Sequence, residues 1–224
     1  MPEASKTHSS LILHNESTYE GLQVLTHKGP LLGKYLDIIK LVFDDALLEY
    51  NKVLVLRFDL RFPLEIEHEK RSSVISDFFE SLRARIKYEE SKARQAGTRC
   101  HETKVRYVWV REHAEGKGWH YHVALFLNGN RFNGLGSLDS DFNNLAIRIT
   151  SSWASAIKAV GDPRKMGVFF PRDAFYRVSS AHGYSQVSAM QAFRRLSYFA
   201  KLDTKHFNNC SRNIGYSQIT HLHK

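Results

Sequence analysis

The sequence predicts an α+β domain, a central antiparallel sheet flanked by helices. Three observations carry this prediction. Apolar residues recur at helical spacing over 31–50 and 73–95, and at strand spacing over 52–63, 104–113 and 119–128. The last two strands are separated only by AEGKG, which suits a hairpin and is too short for a parallel crossover. The chain has 224 residues, 42% of them hydrophobic, enough for one real core.

The elements follow in order. Residues 1–30 are weakly patterned and read as an N-terminal arm lying on the domain, with a short strand near 22–25. The domain proper then spans 31–224 and begins with an extra helix, whose apolar side is Leu32, Leu36, Ile39, Phe43, Ala46 and Leu47. KVLVLRFDLRFP (52–63) is a strand closed by Pro63. Residues 73–95 form a charged amphipathic helix stopped at Gly97. KVRYVWVREH and WHYHVALFLN are the two arms of the hairpin. Asp139 or Asp141 caps a helix running to about Val160, and 166–179 gives one strand or a bent pair broken near Pro171. A final helix is expected from Val187 to Lys205.

Composition removes several classes of function. Only Cys100 and Cys210 occur, which excludes a disulfide framework and a four-cysteine zinc site. No G-x-x-x-x-G-K-[ST] loop is present, so a P-loop motor is excluded. No apolar run reaches a membrane span, and MPEASKTHSS has no apolar signal core; the expectation is a cytoplasmic protein with no membrane partner. The net charge is +9, and it is segregated. Residues 1–156 carry 21 basic and 20 acidic groups; residues 157–224 carry 11 basic and 3 acidic groups. Such a field suits a polyanion, although a solvated basic surface has the same composition.

Two local patterns carry chemistry. In His120-Tyr121-His122 the histidines are two apart on a strand, so both imidazoles project from one face, which continues as Ala124 and Phe126. Paired neutral imidazoles make a bidentate metal site. Glu112, across the hairpin, is the expected third ligand, subject to the register of the two strands. A His₂-carboxylate set with open positions suits Mg²⁺ or Mn²⁺ held together with a phosphate oxygen. A His-x-His pair among 12 histidines also arises by chance. The second pattern is on the final helix. At 100° per residue Tyr198 falls away from the apolar stripe and among Arg194, Lys201 and Lys205. Cations beside a phenol favour its anionic, nucleophilic form and can also hold phosphate. An amphipathic surface tyrosine is the plain alternative.

Taken in order, VLVLRFDLRFP, HYHVALFLN and YFAK (198–201) resemble the three motifs of the HUH endonuclease superfamily, which nicks single-stranded DNA. With the tail RNIGYSQ, the phrasing is similar to the inovirus gene-II-type replication proteins and their prophage relatives, the YagK/YfjJ C-terminal domain family. The resemblance covers roughly residues 30–220. It implies a sheet bearing the histidines with the tyrosine helix against it. It implies that His120 and His122, with Glu112, ligate a divalent metal, that Tyr198 forms a 5′-phosphotyrosine link, and that Lys201 assists. Leu202 and Arg194 stand one turn from Tyr198, so the single-tyrosine type is implied. The expected activity is site-specific nicking and joining that starts rolling-circle replication of a phage or prophage element. Single-stranded or origin DNA is the expected partner, contacted by Arg194 and Lys205, and a separate helicase would open the duplex. A transposase or relaxase of the same superfamily is one alternative, and a non-catalytic origin-binding regulator another. A metal-free histidine phosphoesterase would need two His-x-[ST] motifs, and His101-Glu102-Thr103 supplies only one.

Overall fold

The computed structural model describes residues 12–63, 73–114, 118–139, 144–203, 205 and 212–221. The arm holds three two-residue strands, β1 (Leu13–His14), β2 (Thr18–Tyr19) and β3 (Leu22–Gln23), and a fourth, β4 (Leu31–Leu32), opens the domain. Helix α1 (Gly33–Glu49) leads into β5 (Lys52–Arg61), and α2 (Val74–Gln95) into the hairpin β6 (Arg106–Ala114) and β7 (Gly118–Asn128). Helix α3 (Leu145–Ala156), β8 (Val168–Phe169), β9 (Phe175–Ser179), α4 (Val187–Leu196) and β10 (Ile214–Tyr216) complete the chain.

The result is the expected mixed architecture, a six-stranded antiparallel sheet with α-helices on both faces. Its order is β10-β6-β7-β5-β8, with β9 also paired to β5. Strand β5 is central, and its apolar run is explained by burial on both faces. Leu54, Leu56, Phe58 and Leu60 pack with Tyr121, Val123, Leu125 and Leu127 of β7 under α2 and α3. The alternate residues Val53 and Val55, with Ala124 and Phe126, pack under α1 and α4. Along both strands this second face turns polar toward one end, where Arg57, Asp59, His120 and His122 are all buried.

Helix α2 meets its expected bounds, opening after Ser73 and ending at Gln95, with Gly97 at a φ of 65°. The stretch 166–179 is the bent pair, and both halves pair with β5. Strand β8 sits flush on its neighbour because Gly167, at a φ of 83°, has no side chain; a Cβ there would lie 2.3 Å from the Arg61 carbonyl oxygen. The hairpin strands pair out to Ala114 and Gly118, the two ends of the expected AEGKG loop, and residues 115–117 lie outside the described residues.

Three helix ends differ from expectation. Helix α3 is capped by Asn144, whose side chain accepts from the Ile147 amide at 3.1 Å; Asp139 lies in a preceding turn and Asp141 outside the described residues. It ends at Ala156, short of Val160. Lys158 there takes a φ of 55°, and the Ala159 amide returns to the Ala154 carbonyl at 2.9 Å, the closing bond of a left-handed cap. The final helix is also shorter than read, stopping at Leu196 before a 3₁₀ turn, Ser197–Ala200. Ser197 is the cause: its hydroxyl donates back to the Arg194 carbonyl at 2.7 Å and accepts from the Leu25 amide at 2.9 Å. The chain is then drawn out of helical conformation by the arm. Lys201 bridges to Leu31, and the Leu202 amide donates to the Pro30 carbonyl at 3.0 Å. Among the described residues, no helix is long and apolar enough to cross a membrane.

Candidate functional site

The register of the hairpin assembles the first part of the site. Glu112 stands directly opposite His120, and Val110 opposite His122, so the carboxylate and both imidazoles share one face. Each of the three contributes one ligand atom to a group in which all such atoms lie within 4.8 Å of one another. Both rings are already oriented. His122 Nδ1 is 2.6 Å from Asp59 Oδ1, and His120 Nδ1 is 3.2 Å from the Gly118 carbonyl oxygen. With Nδ1–H donating in each, Nε2 is the nitrogen left to face a cation, which would take the place of the His122 Nε2 contact with Glu112. Burial, and then the neighbouring His122, push His120 below its ordinary value, which favours the neutral ring that a metal needs. The trio can hold a metal ion on its donor chemistry.

Glu112 is also the centre of a charge cluster. Its Oε2 lies 2.9 Å from Lys201 Nζ and 3.4 Å from His122 Nε2, and its Oε1 lies 2.5 Å from Lys205 Nζ. Burial works to raise its pKa, but the hydrogen bond with His122 and the charge of Lys205 hold the carboxyl far below the usual range. Lys205 therefore lies inside the protein as a counter-charge to Glu112, whereas Arg194 stands exposed on α4.

The 3₁₀ turn delivers the second part. At three residues per turn, residues i and i+3 are eclipsed, which sets Lys201 over Tyr198. Lys201 Nζ donates to the Tyr198 phenol oxygen at 2.9 Å and stands 4.4 Å from the ring centre. Burial opposes the Lys201 charge, but the hydrogen bonds to Tyr198 and Glu112 outweigh it and raise its pKa. The Tyr198 ring meets His122 edge-on at 5.6 Å, while the next residue, Phe199, turns inward and stacks on the same imidazole at 5.8 Å. The expected neighbours Tyr198, Lys201, Glu112, His120 and His122 thus form one cluster.

Comparison with known sequences places the chain. The profile of the YagK/YfjJ C-terminal domain matches residues 14–217. The chain belongs to the YagK/YfjJ C-terminal domain family. Two relatives come from Escherichia coli (strain K12), both described as uncharacterized. YfjJ is 29% identical over 200 residues, covering 85% of this chain and 96% of its own length. YagK is 29% identical over 178 residues, covering 76% of this chain and 85% of its own. No solved structure gives a significant match.

Within this family member, sequence reasoning missed Asp59 and Arg57. Both lie on β5, far from the hairpin in sequence, and they reach the site because Asp59 pairs with His122 in the β5–β7 register. The only signal was two charged residues, Arg57 and Asp59, interrupting the otherwise apolar run VLVLRFDL. Burial would raise the Asp59 pKa, but the hydrogen bond from His122 and the charges of His122 and Arg57 lower it. Arg57 lies over the Tyr198 ring at 5.3 Å and over Phe199 at 5.7 Å. Its contacts with Asp59 and His122 are both long, at 3.5 Å. Two buried carboxylates, Asp59 and Glu112, thus stand with three buried cations, Arg57, Lys201 and Lys205. Replacing Asp59 with Ala frees the His122 ring to rotate, so Mn²⁺ affinity measured by titration calorimetry is expected to fall by about 10- to 100-fold. Unchanged affinity would show that the Asp59 contact does not orient a ligand.

Proposed function

We propose that this protein is a metal-dependent nickase and strand transferase acting on single-stranded DNA, with Tyr198 as its single nucleophile. The observation carrying this reading is the position of Lys201, which is 2.9 Å from both the Tyr198 phenol oxygen and Glu112 Oε2. One ammonium group joins the nucleophile to the metal-competent trio. The donor set of one carboxylate and two imidazoles, with open positions, fits Mg²⁺ or Mn²⁺, and Glu112, His120 and His122 would hold it. The bound ion would supply Lewis-acid polarisation of the scissile phosphodiester.

The chain's own groups account for the rest. Lys201 stabilises the phenol oxygen of Tyr198 as its proton passes to solvent. That oxygen forms a bond to phosphorus, and the bond from phosphorus to the 3′-oxygen breaks, the 3′-oxygen leaving with the electron pair and taking a proton. The product is a 5′-phosphotyrosine and a free 3′-hydroxyl, and attack by a 3′-hydroxyl reverses the step and joins strands. Arg57 and Lys201 supply positive charge to the phosphate through the reaction. Rolling-circle initiation on a phage or prophage element, with a separate helicase opening the duplex, is the role this chemistry serves.

The test uses a randomised pool of single strands labelled at the 3′ end, since that end stays with the tyrosine. An SDS-stable labelled adduct is expected with Mn²⁺ and none with EDTA. Binding without any adduct under both conditions would replace the enzyme with a non-catalytic DNA-binding protein.

A further inference from the structure

We propose that Phe169, with Arg61 laid over its ring, is a stacking platform for an unpaired nucleobase beside the Tyr198–His122 cluster. The strand registers make the case. Val110, His122, Asp59 and Phe169 stand in one cross-strand row over β6, β7, β5 and β8, and Glu112, His120 and Arg61 form the next row. Directly opposed residues of antiparallel strands share a face, so Phe169 projects on the same side as Asp59 and the histidines. Its neighbours Val168 and Phe170 pack into the opposite core, Phe170 against Phe58 at 5.8 Å. Phe169 itself is 46% exposed, at the outer strand of the sheet. A phenylalanine at an open edge gains nothing from water, and the apolar face behind it is already filled by its neighbours.

The surroundings select the occupant. The Arg61 guanidinium is 4.8 Å from the Phe169 ring centre, and the same group reaches Asp59 Oδ2 at 3.6 Å. The flanking segment carries Arg164, Lys165 and Arg172 against Asp162 and Asp173, and Asp162 is paired with Arg164 at 3.0 Å. An aromatic face among cations matches a base with its backbone phosphate, because stacking holds the base and the cations hold the charge. The platform is also braced to the tyrosine turn. Arg195, two residues before Ser197, donates to the Arg172 carbonyl at 3.3 Å. Gly167 seats β8 directly on the Arg61 backbone, with the Arg61 amide donating to the Gly167 carbonyl at 2.8 Å. A base on Phe169 would place its strand along the row that leads to His122.

This inference deepens the nicking proposal and rests on it for the identity of the strand. The test measures binding of a fluorescein-labelled (dT)₂₀ strand, and of a duplex of equal length, to the full chain in EDTA, so that no cleavage is required. Phe169→Ala is expected to weaken (dT)₂₀ binding by about 5- to 100-fold with duplex binding and the salt dependence unchanged. Phe169→Trp is expected to restore or tighten it. Equal affinity of Phe169→Ala and wild type overturns the platform. So does an equal loss on strand and duplex, failure of Trp to restore, or a wild-type chain that does not bind (dT)₂₀. Phe169-dependent binding without any adduct in Mn²⁺ would remove the nickase and leave the platform standing.

Discussion

On the proposed nicking reaction, Tyr198→Phe is expected to abolish the SDS-stable protein–DNA adduct, a loss on the order of 10³-fold or more, because Tyr198 is the phenol that Lys201 contacts, whereas Tyr35, also near Glu112, is buried in the α1 core. The substitution removes a single oxygen. The ring keeps its edge contact with His122 and its place under Arg57. Lys201 loses one acceptor but retains Glu112 at 2.9 Å. The cost in stability is therefore that of one hydrogen bond, about 0.5–1.5 kcal/mol, and binding of single strands is expected to persist. Adduct formed by the Phe variant in Mn²⁺, read on a denaturing gel, would sink the tyrosine assignment. Loss of binding together with loss of adduct would mean that the phenol serves recognition and not attack.

The second large effect lies away from the site, in the clamp that fastens the C-terminal segment to α1. Asp45 is wholly buried. It accepts from Arg106 Nε at 2.7 Å and from the backbone amides of Thr220 and His221 at 3.0 and 2.7 Å. Arg106, itself almost fully buried, also donates to Thr220 Oγ1 at 2.7 Å and pairs with Glu49. Removing Asp45 leaves Arg106 Nε and two backbone amides without their acceptor, although Glu49 still pairs with the guanidinium. Asp45→Ala is therefore expected to cost about 3–5 kcal/mol and to lower Tm by roughly 10 °C or more, measured by calorimetry. The pH dependence has a defined sign. Burial works to raise the Asp45 pKa, but the hydrogen bonds from Arg106 and the two amides lower it below the ordinary carboxylate value. Its contribution is thus complete above the unfolded value, about 3.9, and is lost as pH falls through the folded one. The Tm gap between wild type and Asp45→Ala should be widest near neutrality and narrow below about pH 4. A variant that melts within 1–2 °C of wild type would show that the clamp is dispensable.

Elements set by local chemistry were legible from the chain alone. A repeat of two over WHYHVALFLN puts His120 and His122 on one face, and a hairpin of short connection brings Glu112 across from them. Helix α2 is bounded by residues within its own sequence, from Ser73 to Gly97. The pairing of the YFAK tyrosine and lysine was legible too, since i and i+3 are neighbours in α- and 3₁₀-helices alike.

Other features depended on groups far apart in sequence. The final helix ends because Ser197 meets an amide 172 residues away and Lys201 pairs with Leu31, so a helical wheel carried Lys205 to the surface when it belongs beside Glu112. Asp59 and Phe169 gained their places only through strand register across β7, β5 and β8. Periodicity and turn chemistry act within a few residues, and they suffice for the sheet, its helices and the shared face of Glu112, His120 and His122. Only the tertiary structure decided which buried charges neutralise Glu112, what orients His122 and how the phenol reaches them. The Lys205–Glu112 contact links residues 93 positions apart and the Ser197–Leu25 contact residues 172 apart, and no local preference encodes a distance in space.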